Sequence, residues 1–292
     1  MRKIFFALAI LCAVMIFITR DVDAETNWYW LESNDKYSKS FDPESVTVNK
    51  KALTKDGREV AIEIEAWTKT EYSYEGAAET IKTYGITNVL PDPNSLKYSL
   101  ALIRVNPQNR TRQYVREDFY DGTGKVVWSK NEGSVKEVNS QSFDEEFYCA
   151  IVDEVFQMGE LDRKRTPTKE RWIDLWTHTD DDGSTTTLSA DTTTMRLKGS
   201  NLILWEWQVT KNSAGKTTEI RFMKKAINLT QGTESVKDGQ VWTPTNSWKD
   251  LKDEYDGAYR MIATDEPDYQ GLVQLRVYVK NNREWVTRYS LD

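Results

Sequence analysis

Alternation of apolar and polar residues with a period of two is the feature that most restricts how this chain can fold. In the segment 60–66 every even position is apolar, whereas Glu63 and Glu65 are charged. This is the pattern of a β-strand with one buried and one exposed face. The segments 97–105 and 112–120 are also strand-like and are joined by a polar turn, so we predict a hairpin there. The chain is therefore predicted to be rich in antiparallel sheet.

Helical patterns are few. The clearest covers 143–157, where apolar residues recur every three or four positions. Ser142 and Glu145 are spaced as a capping box, in which each side chain would bind a backbone N–H of the first turn. Weaker patterns predict a helix at 75–84 and strands at 272–279 and 284–291. Because predicted strands outnumber helices, the predicted fold class is α+β.

The same order of signals occurs twice along the chain, which predicts a diverged duplication. Each copy opens with an aromatic strand, passes a polar turn and a short Asp-containing segment, and reaches an alternating strand that ends near a tryptophan. These parts are 28–31, 41–46 and 59–68 in the first copy, and 172–176, 189–192 and 201–209 in the second. We predict two tandem units of antiparallel sheet, 25–158 and 171–292, the first ending in a packed C-terminal helix. The polar segment 159–170 is predicted to be a linker.

The N-terminus has the features of an export signal. Arg2 and Lys3 precede an unbroken apolar run over 4–18, and Ala24 ends a segment of the kind that signal peptidase recognises. The apolar run is shorter than the ~20 residues of a membrane-spanning helix. We predict a signal peptide over 1–24, and a product in the periplasm, at the cell surface or secreted.

Net charge and cysteine content limit the classes of partner and the means of stabilisation that are expected for this chain. Cleavage would move the net charge from −7 to −8, because the leader holds three basic and two acidic residues. Nucleic acids and anionic membranes bind basic patches, so neither partner is expected. Cys149 would be the only cysteine left, so a hydrophobic core must stabilise the chain without disulfides. No second apolar segment has spanning length, so no stable membrane insertion is expected after cleavage.

No catalytic set is recognisable in the sequence. The single histidine, His178, excludes histidine triads and paired-histidine metal sites. The segment 180–183 contains three consecutive aspartates, which do not converge on one calcium ion, and its Asp-Gly pair is typical of a hairpin turn. We therefore predict no catalytic, cofactor-binding or metal-binding residues, and a protein that is not an enzyme.

Eleven tryptophans stand out in the composition. Trp28 and Trp30 lie two positions apart, as do Trp205 and Trp207, so in strands each pair shares one face. Tryptophans on one face can stack on sugars or anchor a protein interface, and these four are our candidate binding surface. The alternative is that they fill the hydrophobic core.

Several segments of the first unit have an order and spacing that resemble those of a known family. They are 30–33 (Trp-Leu-Glu-Ser), 41–46 (Phe-Asp-Pro-Glu-Ser-Val), the strand ending at Trp67, 120–127 and 142–148. They resemble the surface-adhesin protein E family of small exported bacterial proteins over about residues 26–158. The second unit matches only in its opening portion, and no terminal helix is predicted for it. The resemblance implies a sheet with a helix packed on it and, because the named member binds host matrix proteins, a role in adhesion.

These observations lead to three hypotheses. We expect an exported, non-enzymatic binding or adhesin-like protein of the bacterial envelope, whose partner is an unknown protein or glycan of the envelope or host matrix. The alternative is a periplasmic structural or assembly factor that buries its aromatic residues in its own core or against a partner. The third is a glycan hydrolase, which requires two carboxylates converging in a cleft beside exposed tryptophans.

Overall fold

Two antiparallel sheets form the framework of the protein. The computed structural model describes residues 27–166, 170–252 and 254–292, and the predicted signal peptide lies outside these residues. The structure is 46% strand and 21% helix. The predicted β-rich α+β fold, with two sheets and a packed helix at the end of the first unit, is therefore confirmed.

The first sheet has eight strands. They are β1 (Tyr29–Ser33), β2 (Tyr37–Phe41), β3 (Thr47–Leu53), β4 (Glu59–Tyr72), β5 (Tyr98–Asn106), β6 (Thr111–Tyr120), β7 (Val126–Asn131) and β8 (Lys136–Glu137). Their order is β1-β2-β4-β5-β6-β7, with β3 also paired to β4 and β8 to β6. Helices α1 (Tyr74–Tyr84) and α2 (Glu145–Phe156) belong to this unit. The predicted hairpin of β5 and β6 is confirmed.

Helices α1 and α2 pack on the same face of the first sheet. Ala101 belongs to the apolar cluster around α2, and Phe119 belongs to the cluster around α1. The β5–β6 register places Ala101 opposite Glu117 and Ser99 opposite Phe119. Because residues directly opposite each other project on the same side of a sheet, both helices cover one face and leave a gap between them.

The second sheet has seven strands and follows helix α3 (Glu160–Arg165). The strands are β9 (Trp172–Thr179), β10 (Thr185–Lys198), β11 (Asn201–Lys211), β12 (Thr217–Asn228), β13 (Thr233–Thr243), β14 (Ser247–Asp250) and β15 (Arg260–Met261). The first six form a meander in sequence order, and β15 also pairs with β13. Helices α4 (Pro267–Asn281) and α5 (Arg283–Val286) complete the chain, with α4 packed against β9.

The strands predicted at 272–279 and 284–291 are wrong, because the first segment lies within α4 and the second begins in α5. Leu272, Leu275 and Val279 are buried, at the spacing of one helical face. Val273 and Val277, which completed an alternating pattern, are exposed. The second unit therefore also ends in helix, although no terminal helix was predicted for it.

Helix α2 differs from its prediction at its start. Its first residue is Glu145, and the predicted capping box is wrong because the Ser142 hydroxyl is buried without a hydrogen-bond partner. The Glu145 carboxylate instead binds Arg110 and Arg171. Glu146, although charged, is only 5% exposed. Residues 145–152 of α2 are all buried, so these two turns are covered on the side away from the sheet as well.

A distinctive set of hydrogen bonds marks the bend that separates β2 from β3. The Asp42 carboxylate accepts from the Glu44 N–H at 3.0 Å, and the Ser45 hydroxyl donates to the Asp42 carbonyl at 2.6 Å. The Trp67 N–H in β4 then donates to the Ser45 hydroxyl at 2.9 Å. The bend is thereby fixed to the neighbouring strand.

The same bonds occur in the second unit, where β10 bends. The Asp191 carboxylate accepts from the Thr193 N–H at 3.0 Å, and the Thr194 hydroxyl donates to the Asp191 carbonyl at 2.8 Å. The Trp205 N–H in β11 donates to the Thr194 hydroxyl at 2.9 Å. An identical local network, at the place where the sequence copies were matched, supports the predicted duplication.

A β-bulge extends this correspondence. Val115 is the extra residue of β6 opposite β5, and Lys237 is the extra residue of β13 opposite β12. Leu102 pairs with Trp67, and Lys224 pairs with Trp205. Both residues lie directly beside the bulge of their unit. The two sheets therefore match strand by strand and in register.

The segment predicted as a linker contributes to a buried ionic network that joins the two units. We call it the junction network, and it consists of Arg110, Glu145, Glu160, Arg171, Asp191, Arg196 and Arg288. These side chains are at most 6% exposed. Burying an ion without a counter-ion costs several kcal/mol of free energy, so these arginines and carboxylates can be buried only as pairs. The linker prediction missed α3 and this role.

Glu160, the first residue of α3, binds groups from both units. Its Oε1 accepts from Arg110 Nη1 at 2.7 Å and from Arg196 Nη2 at 3.3 Å, and Arg288 Nη2 lies 3.5 Å away. Its Oε2 accepts from the Tyr289 hydroxyl at 2.6 Å. Burial alone raises the pKa of Glu160, but the three arginines outweigh it and bring the pKa to about 2.

We predict that Glu160→Gln lowers the free energy of unfolding by about 3–5 kcal/mol, because it leaves buried arginines without their counter-charge. The measurement is urea denaturation at pH 7. Glu71→Gln, whose side chain is 53% exposed, is the matched control and should change stability by less than about 0.5 kcal/mol. A loss below about 1 kcal/mol for Glu160→Gln, the range of exposed pairs, would contradict the role assigned to the network.

Candidate functional site

A polar pocket lies on the first sheet in the gap between α1 and the start of α2. Its volume is about 280 Å³. The lining residues are Tyr37, Thr70, Tyr72, Glu79, Thr80, Thr83, Tyr84, Arg112, Tyr114, Glu117, Phe143 and Asp144. We call it the tyrosine pocket, because four of these side chains are tyrosines.

Glu117 is a buried carboxylate with spare hydrogen-bonding capacity. It is 5% exposed, and the Tyr84 hydroxyl donates to its Oε2 at 2.5 Å. Among the described residues nothing else donates a hydrogen bond to it, although a carboxylate can accept about four. Burial raises the pKa of Glu117 to about 7, and the hydrogen bond from Tyr84 lowers it only in part. The carboxyl group can therefore accept or donate a proton near neutral pH.

Asp144, by contrast, is engaged by its neighbours. It lies just before α2, and its oxygens accept from the Tyr114 hydroxyl at 2.7 Å and from Arg112 Nε at 2.6 Å. Burial, helped by the negative charge of Asp144, raises the pKa of Tyr114 well above its ordinary value, so its hydroxyl remains a donor. These three residues form a fixed wall, and Glu117 is the group left to meet a ligand.

A larger cleft occupies the corresponding position on the second sheet. Its volume is about 730 Å³, and its lining includes Lys225, Glu234, Tyr255, Tyr259, Arg260 and Asp268. We call it the charged cleft. With the two sheets matched at their tryptophans and bulges, Thr70, Arg112 and Tyr114 of the tyrosine pocket correspond to Gln208, Glu234 and Val236 of the charged cleft. The two cavities are therefore equivalent sites with different side chains.

The charged groups of the cleft contact one another. Lys225 Nζ donates to Glu234 Oε2 at 3.0 Å and lies 3.1 Å from Glu206 Oε2. Arg260 Nη2 contacts Glu234 and lies 2.7 Å from Asp268 Oδ2 at the start of α4. Burial raises the pKa of Glu206 to about 7, against the opposite effect of Lys225. Each unit thus holds one buried glutamate that titrates near neutrality.

The first pair of predicted binding residues lies at a sheet edge, away from both cavities. Trp30 is in the edge strand β1 and is 58% exposed, and its Nε1 donates to the Ser33 hydroxyl at 2.9 Å. Trp28 lies just before β1 and is half-buried. Trp30 is therefore open to a partner, but it lines neither the tyrosine pocket nor the charged cleft.

In the second pair, Trp205 lies at the contact between the two units, and Trp207 lies two positions further along β11. Trp205 is 3% exposed, stacks on Phe222 at a ring-centroid distance of 4.4 Å, and donates from Nε1 to Glu137 at 3.1 Å. Trp207 is half-buried and contacts Phe222 and Trp248. Trp205 is therefore largely buried, and it also borders a cavity of about 230 Å³ between the two units.

The pocket residues could not be predicted from the sequence because a β-bulge changes which side chains of β6 share a face. Period-two alternation from Phe119 places Glu117 and Val115 on its face of β6. The extra residue Val115 reverses that phase and brings Tyr114 to the same face as Glu117. The only indication in the sequence was that Glu117 lies two positions from the apolar Phe119 and so shares its face of the strand.

The remaining candidate features of the sequence are His178, the aspartate-rich turn that follows it, metal-ligand clusters and membrane-spanning helices. His178 lies at the exposed end of β9, and the turn at 180–184 joins β9 to β10 as predicted, with the Asp180 N–H donating to the Ser184 carbonyl. Across the ranges that the structure describes, no three side chains of His, Cys, Asp or Glu converge as metal ligands. The helices in those ranges include none with the length and apolar character to cross a membrane.

Comparison with known proteins gives no relative. No protein-family model matches the chain, and no curated protein matches it. The resemblance of the first unit to the surface-adhesin protein E family therefore stays a prediction.

We predict that Glu117→Gln changes the pH dependence of stability. The folded-state pKa of about 7 exceeds the ordinary value of 4.5, so the folded parent holds a proton that the unfolded chain has lost between these values. Its stability therefore falls as pH rises through this window, by about 3 kcal/mol from this group. The unfolding free energy of the variant minus that of the parent should rise by that amount from pH 4.5 to pH 8.

Urea denaturation at intervals of half a pH unit measures this difference. Glu71→Gln on the exposed side of β4 serves as the control, because its side chain is 53% exposed. A parent-to-variant difference for Glu117→Gln that stays constant across the range would contradict the titration assigned to the pocket.

Proposed function

We propose that this chain is an exported, non-enzymatic binding protein of the bacterial envelope that holds its ligand in the tyrosine pocket. Export rests on the basic and apolar N-terminal segment. Binding rests on one observation above others: Glu117 is only 5% exposed, lines a cavity, and accepts a single hydrogen bond from the residues that the structure describes. A buried polar group without its full set of partners is costly unless a water molecule or a ligand supplies them.

The arrangement of the other charged groups supports binding over catalysis. Asp144 is tied to Arg112 and Tyr114, and the carboxylates of the charged cleft are tied to Lys225 and Arg260. Carboxylates held in this way position neighbouring groups, whereas an acid–base pair needs one free acid and one free base beside the substrate. Neither of these two cavities has a tryptophan in its described lining, whereas the glycan hydrolase hypothesis requires tryptophans beside its two carboxylates.

Location separates the surface protein from the periplasmic assembly factor. Intact cells are treated with a protease, and the chain is detected by immunoblotting before and after the outer envelope is opened. We expect a product shortened by the first 24 residues and digested on intact cells. A full-length product retained in the cytoplasm would contradict export, and protection until the envelope is opened would favour the periplasmic alternative.

Ligand capture is tested with the purified chain 25–292 in solid-phase binding to isolated envelope material and to a panel of matrix proteins. We expect the parent and Glu71→Gln to bind at least one member of the panel. Glu117→Gln and Tyr84→Phe should weaken that binding about tenfold, since each removes a charge-assisted hydrogen bond from the pocket. Absence of binding by the parent, or equal binding by all four proteins, would contradict the proposal.

A further inference from the structure

We infer that the tyrosine pocket accommodates one uncharged sugar ring, through hydrogen bonds to Glu117 and contact with the tyrosine rings. This inference rests on the proposed function, because it names the class of ligand for the same site. Three properties of the pocket carry it: the balance of charge, the number of hydroxyl groups and the size.

Most of the charged groups around the pocket are already paired. Arg112 is paired with Asp144, and Glu79 is paired with Lys36 at 2.5 Å. Lys130 Nζ lies 5.1 Å from the centre of the Tyr84 ring, on the side of the pocket that holds the Glu117 carboxylate. Because Arg112, Asp144 and Glu79 already have partners, they attract an ion of either sign less strongly than unpaired charges would. Such a balance favours an uncharged ligand.

Hydroxyl groups dominate the lining. They belong to seven of the twelve residues: Tyr37, Thr70, Tyr72, Thr80, Thr83, Tyr84 and Tyr114. A hydroxyl group both donates and accepts, so Tyr84 and Tyr114, which already donate to Glu117 and Asp144, can still accept a hydrogen bond. The second oxygen of Glu117 adds an acceptor on the floor. A ligand that presents several hydroxyl groups of its own matches this surface, because each can donate to one neighbour and accept from another.

Aromatic rings form one corner of the pocket. The Tyr37 ring meets the Phe143 ring at a centroid distance of 5.0 Å and the Tyr72 ring at 6.0 Å, in both cases edge to face. Rings fixed at these angles present both ring faces and ring edges, and so give an apolar corner beside the polar floor. A sugar ring has the same two characters, with C–H groups on its faces and hydroxyl groups around its edge.

Size limits the ligand to about one ring. The volume of about 280 Å³ is at the lower end of the range of ligand pockets. The pocket therefore fits a monosaccharide or the terminal residue of a glycan. A polypeptide segment would have to place a single side chain there.

The test is titration calorimetry of the purified chain 25–292 with glucose, galactose, mannose, N-acetylglucosamine and N-acetylgalactosamine at about 10 mM, a concentration suited to millimolar affinities. Putrescine and acetate are the cationic and anionic comparison probes. We expect at least one sugar to bind, and neither charged probe. Tyr37→Ala and Glu117→Gln should each weaken that binding about tenfold, while Glu71→Gln should leave it unchanged. Circular dichroism of each variant establishes that it is folded.

Two outcomes would overturn the inference. One is binding of putrescine or acetate in the pocket with no response to any sugar. The other is capture of envelope material by the parent that no sugar of the panel competes for, which would leave the proposed function standing and reject the sugar. Failure of both capture and sugar binding would reject the proposed function as well.

Discussion

The Glu160 carboxylate is the point on which the arrangement of the two units depends. It lies between arginines and a tyrosine from the first unit, from β10 and from the C-terminal segment, and its side chain is fully buried. Glu145 at the start of α2 binds Arg171, which also binds Asp191 of β10. The second unit thereby fixes the beginning of α2. Since Asp144 and Phe143 precede that helix and line the tyrosine pocket, the shape of the pocket depends on an interface outside its own sheet.

The correspondence between the two sheets gives the pocket a counterpart, as the predicted duplication requires. Both units carry the same Asp-x-x-Ser/Thr bend, the same bulge and a cavity between the sheet and the C-terminal helix. Side chains at matched positions have diverged: Arg112 is replaced by Glu234, and Tyr114 by Val236. The first cavity is small and rich in hydroxyl groups, whereas the second is large and charged. A shared backbone with altered lining is consistent with two sites of different specificity, since function depends on the site and not on the fold.

Sequence patterns predicted the sheets because alternation follows directly from strand geometry, as the confirmed hairpin of β5 and β6 illustrates. They failed where distant contacts decide the outcome. Val273 and Val277 gave α4 the pattern of a strand, and packing of Leu272 and Leu275 made it helical. Glu145 was predicted to form a capping box, but its carboxylate forms ion pairs with the buried Arg110 and Arg171, which lie elsewhere in the chain. The pocket requires the β-bulge at Val115, because the extra residue places Tyr114 on the same face of β6 as Glu117. A period-two pattern of the sequence does not indicate where such a bulge occurs.

The central claim is that the two units form one cooperative body held by the junction network. Differential scanning calorimetry of the chain 25–292 at pH 7 tests this most directly, because independent domains of this size ordinarily unfold separately. The account predicts a single transition in which the calorimetric enthalpy equals the van't Hoff enthalpy. Two resolved transitions, or a calorimetric enthalpy about twice the van't Hoff value, would show that the units unfold independently and would contradict the account.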